Sequence, residues 1–350
     1  MPNLIRILSI DGGGIRGLIP AQILVKLEQL LQSKTNNRSA RIADYFDLIA
    51  GTSTGGILTC LYLSPDPKKP SRNQRPAFSA LDAVNFYLQS GPQVFKRSLI
   101  RQIYSIGSLI RTKYSTTPLK QSLTEVFGNL RLSQLLKPCL ITAYNIEKRY
   151  AHFFTKHDAT FNPEYDFSVI DVAIATAAAP TYFQVAGVRS VTGKFYPLID
   201  GGVFANNPAL CAFTEVYRTF RNSPSAREMV ILSLGTGEDD QALNYRQAKN
   251  WGKIQWSVPL FNVLLSSNPE TVDYELKTIF RSVNRSGFYI RINPRLPNRM
   301  TNIDNASDKN MHSLIRLGKQ TAEKFELQLS SLADLLIANY NNQESLLKAR

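Results

Sequence analysis

Gly51-Thr52-Ser53-Thr54-Gly55 sets a serine between two glycines, with an apolar run at 46–50 before it and another at 56–63 after it. Strand, sharp turn and helix is the setting in which a serine becomes a nucleophile. The glycines let the chain reverse so that the hydroxyl stands clear, and the first amides of the helix favour a developing negative charge. Average glycine and serine frequencies would give about 0.1 such matches by chance in a chain of this length. A Gly/Ser turn without chemistry is the plain alternative.

Gly12-Gly13-Gly14-Ile15-Arg16-Gly17 also lies between a strand-like run, 4–10, and an amphipathic helix with Ile23, Leu24, Leu27, Leu30 and Leu31 on one face. The spacing fits G-x-G-x-x-G, but a dinucleotide site needs an acid about 20 residues further on. Here that stretch is Gln32-Ser33-Lys34-Thr35-Asn36-Asn37-Arg38, and no Gly-Lys-Ser/Thr follows to make a phosphate loop. Adjacent glycines have another use, which is to aim backbone N–H groups at a tetrahedral oxyanion. A tight turn alone is the remaining reading.

A serine nucleophile needs a base, and the chain has only His152, His157 and His312. Ser53, Asp200 and His312 follow the chain order of an α/β-hydrolase triad. His312, however, sits inside a helical pattern, and His152 and His157 flank a strand among apolar neighbours. Asp200 closes the apolar run 195–199 and opens Gly201-Gly202, which puts its carboxylate at a strand end. A carboxylate has an ordinary pKa of about 3.9, so acting alone it needs a low-dielectric site or close approach to the hydroxyl. A Ser–Asp dyad fits better than a triad.

The elements that must position these residues alternate. Strand-like runs at 4–10, 46–50, 139–143, 151–155, 195–199 and 229–234 are interleaved with helical patterns at 56–63, 169–179 (stopped by Pro180) and 208–220. Two more amphipathic patterns fill 307–340, with Ser307 and Asp308 as a start signal. The Pro-rich stretch 64–78 reads as a surface loop. Such alternation predicts an α/β fold: a three-layer α/β/α sandwich around a mostly parallel sheet. It is read as a single domain over 1–350, with a core at about 4–236 and a C-terminal helical extension at about 237–350.

These motifs together are distinctive. Asp11-Gly12-Gly13-Gly14-Ile15-Arg16-Gly17, Gly51-Thr52-Ser53-Thr54-Gly55-Gly56 and Asp200-Gly201-Gly202 resemble, in order and spacing, the three signatures of the patatin-like phospholipase family. Ala177-Ala178-Ala179-Pro180-Thr181-Tyr182-Phe183 and Asn206-Asn207-Pro208 resemble its connecting segments, and Asp304-Asn305-Ala306-Ser307 resembles its tail. The resemblance covers 4–236 well and the remainder loosely. It implies a calcium-independent lipid acyl hydrolase of phospholipids or lysophospholipids, with no metal and no cofactor. It also implies Ser53 as nucleophile, Asp200 as base and Gly12, Gly13 and Gly14 as the oxyanion-hole loop. Arg16 matches the loop's basic residue, with Gly51, Gly55, Gly201 and Gly202 in support. An acyltransferase using the same serine and a non-catalytic lipid- or nucleotide-binding module are the competing classes.

Composition limits partners and location. The chain is 43% hydrophobic and 19% charged, which is globular, and no run approaches a membrane span. The start lacks the n-region, h-region and cleavage site of a signal peptide. Set against the plant storage members of the resembled family, that departure implies a cytoplasmic, bacterial-type enzyme, whose sequons would carry no sugar. Cys60, Cys139 and Cys211 are widely spaced and read as reduced thiols.

Forty-one Lys and Arg against 27 Asp and Glu give +14. Residues 91–150 hold ten bases and two acids, and 277–303 hold six bases and no acid. Such surfaces attract polyanions. No nucleic-acid-reading motif is present, so the partner expected is an anionic membrane, contacted peripherally. A merely solvated basic face is the alternative. Val94, Phe95, Leu99, Ile103, Ile106, Leu109 and Ile110 interleave with bases as an interfacial helix or lid would, or as an ordinary half-buried helix would.

Overall fold

The computed structural model describes residues 4–69, 74–96, 112–239 and 243–348. Among these, one sheet gathers eight strands: β1 (Ile5–Ile10), β2 (Leu48–Thr52), β3 (Cys139–Asn145), β4 (Tyr150–Thr155), β5 (Ala186–Arg189), β6 (Phe195–Asp200), β7 (Met229–Leu234) and β8 (Tyr289–Ile292). The order is β5-β6-β3-β2-β1-β7-β8, with β4 paired to β3. The run from β3 to β8 is parallel. β4, β5 and β6 pair antiparallel. The expected α/β/α sandwich with a mostly parallel sheet is the fold observed.

Parallel strands buried on both faces read as near-continuous apolar runs, and β1, apart from its buried Arg6 and Ser9, shows why. Leu8 and Ile10 join Ile49 and Ile141 in a core on one side, while Ile7 joins Leu48, Ala50 and Leu140 in a core on the other. The larger core holds α1 (Leu18–Thr35), α2 (Thr54–Leu63), α3 (Ala80–Val94), α4 (Thr117–Phe127) and α5 (Val169–Thr176). The smaller is roofed by α6 (Ala209–Thr219) and by the second half of α7 (Lys253–Ser282), through Val272, Leu276 and Phe280.

The C-terminal pair, α8 (Asp308–Lys324) and α9 (Glu326–Lys348), packs on α1. Lys26 bonds Glu326 at 2.7 Å, Lys34 bonds Asp334 at 2.8 Å, and Asn339 accepts the Leu4 amide at 2.9 Å. The stretch read as a helical extension also supplies a strand, since β8 joins the sheet beside β7. Four residues with an arginine among them, Tyr-Ile-Arg-Ile, are too short for periodicity to reveal.

Other boundaries shift for local reasons. Strand β2 runs to Thr52 and α2 begins at Thr54, so the turn read over 51–55 contracts to Ser53 alone. Helix α5 stops at Thr176, short of the predicted 179. Cys60 and Cys139 are buried and Cys211 half-buried, all as free thiols. Of the lid-like pattern only Val94 and Phe95 are described, and the rest lies outside the described residues. No helix among the described residues is long and apolar enough to cross a membrane.

Candidate active site

Connections from β1 run one way to β2 and β3 and the other way to β7 and β8, so the sheet's switch point lies at the carboxyl end of β1. Crevices for ligands open there in α/β sheets. The loop carrying Gly12, Gly13 and Gly14 leaves β1 at that point, and Ser53 leaves the adjacent β2. Ser53 has φ 54° and ψ −119°, a strained conformation for a residue with a side chain. The flanking glycines make the bend possible. A Cβ on Gly51 would lie 2.1 Å from the Gly55 carbonyl oxygen, and one on Gly55 would lie 2.1 Å from that of Ile10. The Ser53 amide donates to Thr176 Oγ1 at 2.8 Å, which holds the elbow from the end of α5.

Asp200 reaches Ser53 through strand pairing. β4 lines one edge of β3 along Leu140–Asn145, so β2 and β6 share the other edge in succession. β2 climbs β3 and ends with Thr52 beside Thr142, while β6 descends and ends with Asp200 beside Ala143. Two carboxyl ends thus meet head to head. Thr52 and Thr142 bond through their hydroxyls at 2.7 Å beneath the junction, and Gly201 packs against Thr142. The Ser53 side chain lies beside the Asp200 carboxylate, which accepts the Gly202 amide at 2.7 Å. Asp200 is 2% exposed. Burial pushes its carboxyl up to about 7, against the smaller lowering effects of the Gly202 amide and the neighbouring Ser53 hydroxyl.

The glycine loop differs in one respect from the expectation of three free amides. The Gly12 N–H donates to the Asn206 carbonyl at 3.0 Å, and a backbone N–H has one hydrogen to give. Gly13 and Gly14 line the cleft, and their amides have no partner among the described residues. The first amides of α2 have no intrahelical acceptor either. Arg16 is buried beneath the loop and donates to the Thr301 carbonyl at 3.2 Å, away from the cleft. Burial lowers its guanidinium to about 10.

From Ser53 and Asp200 the cleft runs between apolar walls, among them Ile57, Phe86, Val94, Phe183, Leu265 and Ile303. None of the three histidines lines it. His152 is buried among Phe154, Phe167 and Tyr196, and burial lowers it to about 4, so it packs as a neutral ring. His157 stacks near Phe161, and His312 is exposed on α8 with Nδ1 at 2.8 Å from the Asp308 carbonyl oxygen. Among the described residues no cluster of His, Cys, Asp and Glu could hold a metal ion.

Several supports carried no sequence signal. Arg291 on β8 grips Asp11, at the head of the glycine loop, with two hydrogen bonds of 2.8 and 2.6 Å, and also donates to Ser233 at 2.9 Å. Both side chains of the pair are buried. Burial alone would lower the Arg291 guanidinium, but the Asp11 charge and hydrogen bonds outweigh it and leave it raised. Tyr87 on α3 donates to the Thr54 carbonyl at 2.9 Å.

Residues 8–213 match the family model described as Patatin-like phospholipase. The chain is 35% identical to the Solanum tuberosum protein named "Probable inactive patatin-3-Kuras 1", over 95% of its own length and 93% of the relative's. It is 34% identical to Patatin group M-3 of the same plant, covering 96% of this chain and 90% of that one. A solved structure, VipD from Legionella pneumophila, aligns over 94% of this chain and 67% of its own at 14% identity, with a TM-score of 0.39.

Proposed function

The chain belongs to the patatin-like phospholipase family, and from that premise we propose that it is a lipid acyl hydrolase that cleaves phospholipids or lysophospholipids through Ser53 and Asp200. The observation that carries the reading is the Ser53 side chain set beside a buried carboxylate whose pKa is raised to about 7, at the head of an apolar cleft. A carboxylate in water is too weak a base for a serine. One raised to neutrality by burial combines a usable ionised fraction with real basicity.

In the first half of the reaction Ser53 Oγ attacks the ester carbonyl as its proton passes to Asp200. The carbonyl oxygen becomes an oxyanion facing the Gly13 and Gly14 amides, whose hydrogens have no other acceptor among the described residues. The C–O bond to the alcohol breaks, and the alcohol takes the proton from Asp200. In the second half water attacks the acyl-Ser53 ester and gives its proton to Asp200. The tetrahedral intermediate then collapses, the Ser53–acyl bond breaks and Ser53 Oγ recovers the proton as the fatty acid leaves. The apolar walls suit an acyl chain, with the few polar groups gathered at one end.

The test is mass spectrometry of the products from mixed phospholipids and lysophospholipids, with Ser53→Ala beside the wild type. Free fatty acid and deacylated lipid are expected from the wild type alone. Transfer of the acyl group to an added alcohol in place of water would make it an acyltransferase. Unchanged lipid, with a folded protein, would leave only a binding module. One relative's name calls it inactive, and the same product assay decides activity for this chain.

A further inference from the structure

Helix α7 changes character along its length. From Pro269 onward it buries a residue every turn, through Val272, Leu276 and Phe280. Before Pro269 no described side chain of the helix is buried. Yet this first half is apolar: Trp256, Leu260, Val263 and Leu264 fall at i, i+4, i+7 and i+8, which is one face of a helix. Leu260 is 50% exposed, and Val263 and Leu264 are 38% exposed. Just upstream Leu243 and Tyr245 are exposed too, and Trp251 stacks edge-on against Trp256 at 5.3 Å. Residues 243–269 contain Arg246, Lys249 and Lys253 and no acid, and all three bases are exposed.

We infer that this first half of α7 is the surface by which the protein sits on a phospholipid membrane bearing anionic headgroups. An apolar stripe bordered by tryptophan and lysine or arginine is the build of a helix lying in a membrane interface, with rings at headgroup depth and bases against phosphate. Its position fits as well. Leu265, next to the stripe, lines the cleft, and its carbonyl accepts Asn206 Nδ2 at 2.8 Å. A lipid drawn from a bilayer under this face is therefore beside the groups that would cut it. A second copy is a poor occupant, because a two-fold contact would set the three bases against their own kind. The inference rests on the proposal that the substrate is a membrane lipid.

Trp251 and Trp256 are the chain's only tryptophans, so its fluorescence reports on this face alone. The probe is vesicles of ether-linked phosphatidylglycerol and phosphatidylcholine, which contain no acyl ester, so binding is read without hydrolysis. Mixed vesicles should shift the emission to the blue, and lipids brominated near the headgroup should quench it. Leu260→Asp/Leu264→Asp should weaken vesicle sedimentation about tenfold or more. Leu327→Asp, at an 85% exposed residue of α9, should leave sedimentation unchanged. Circular dichroism checks that both variants fold. Sedimentation of the wild type without a tryptophan shift, or of the double variant at wild-type strength, would overturn the inference. So would a lipid-free dimer that the double variant dissociates. Ester hydrolysis plays no part in these readouts, so failure of the hydrolase proposal would show separately, in the product assay.

Discussion

Ser53 and Asp200 face one another across the head of the cleft, and the burial of Asp200 decides how pH acts on the pair. Its carboxyl lies at about 7, and only the ionised form accepts the Ser53 proton. Turnover of a soluble ester should therefore fall about tenfold per pH unit below 7 and level off above it. Asp200→Asn should lose about two to four orders of magnitude in kcat/KM. His312→Ala should stay near wild type, because that ring faces solvent on α8. The same burial governs stability. A carboxyl raised from 3.8 in the folded state binds its proton more tightly than in the unfolded chain, so its contribution is complete below 3.8 and is lost as pH rises through about 7. Asp200→Asn carries no such charge. Its melting temperature should exceed that of the wild type, by more at about pH 8 than at about pH 5. A gain independent of pH would show that Asp200 is not the titrating group.

The elbow and the loop are properties of elements. Gly51→Ala should cost most of the folded yield, since the new Cβ would strike the Gly55 backbone, and thermal melting would show it. Arg291→Met leaves Asp11 as an unpaired buried charge and should cost about 3–5 kcal/mol in urea unfolding. Asp11→Asn/Arg291→Met removes both charges and should recover part of that loss. The two cases also divide what sequence could reveal. The elbow is local: glycine, serine and glycine within five residues between two apolar runs announce it. Asp200 is nearly as plain, as an acid closing an apolar strand before two glycines. The Arg291–Asp11 pair spans 280 residues and β8 has four, so neither leaves a periodic trace. Nor could spacing reveal that β6 runs antiparallel to β3 and so meets the end of β2, which is what joins the two halves of the site. In sequence the Gly12 amide is no different from its neighbours, and only the Asn206 carbonyl against it sets it apart.

Across the whole molecule, alternating apolar and helical runs made the α/β/α sandwich legible, because most strands of the parallel run are followed by a helix that covers them. The surface was harder to read. Composition gives +14, but only the fold brings the bases of 243–253 alongside an exposed apolar helix at the cleft. Binding to anionic vesicles should exceed binding to neutral ones and weaken with added salt, which shortens the Debye length and screens the attraction of the bases to the headgroups. Sedimentation at rising salt measures it. Equal binding to zwitterionic vesicles would mean that the charge is only a solvated face.

The central claim is that Ser53 is the nucleophile and Asp200 its base. It is tested most directly by mapping a fluorophosphonate adduct by mass spectrometry at a series of pH values. The account predicts one adduct, on Ser53, forming faster as pH rises through about 7, and none in Ser53→Ala. An adduct on another residue, or labelling that persists in Ser53→Ala, would contradict it.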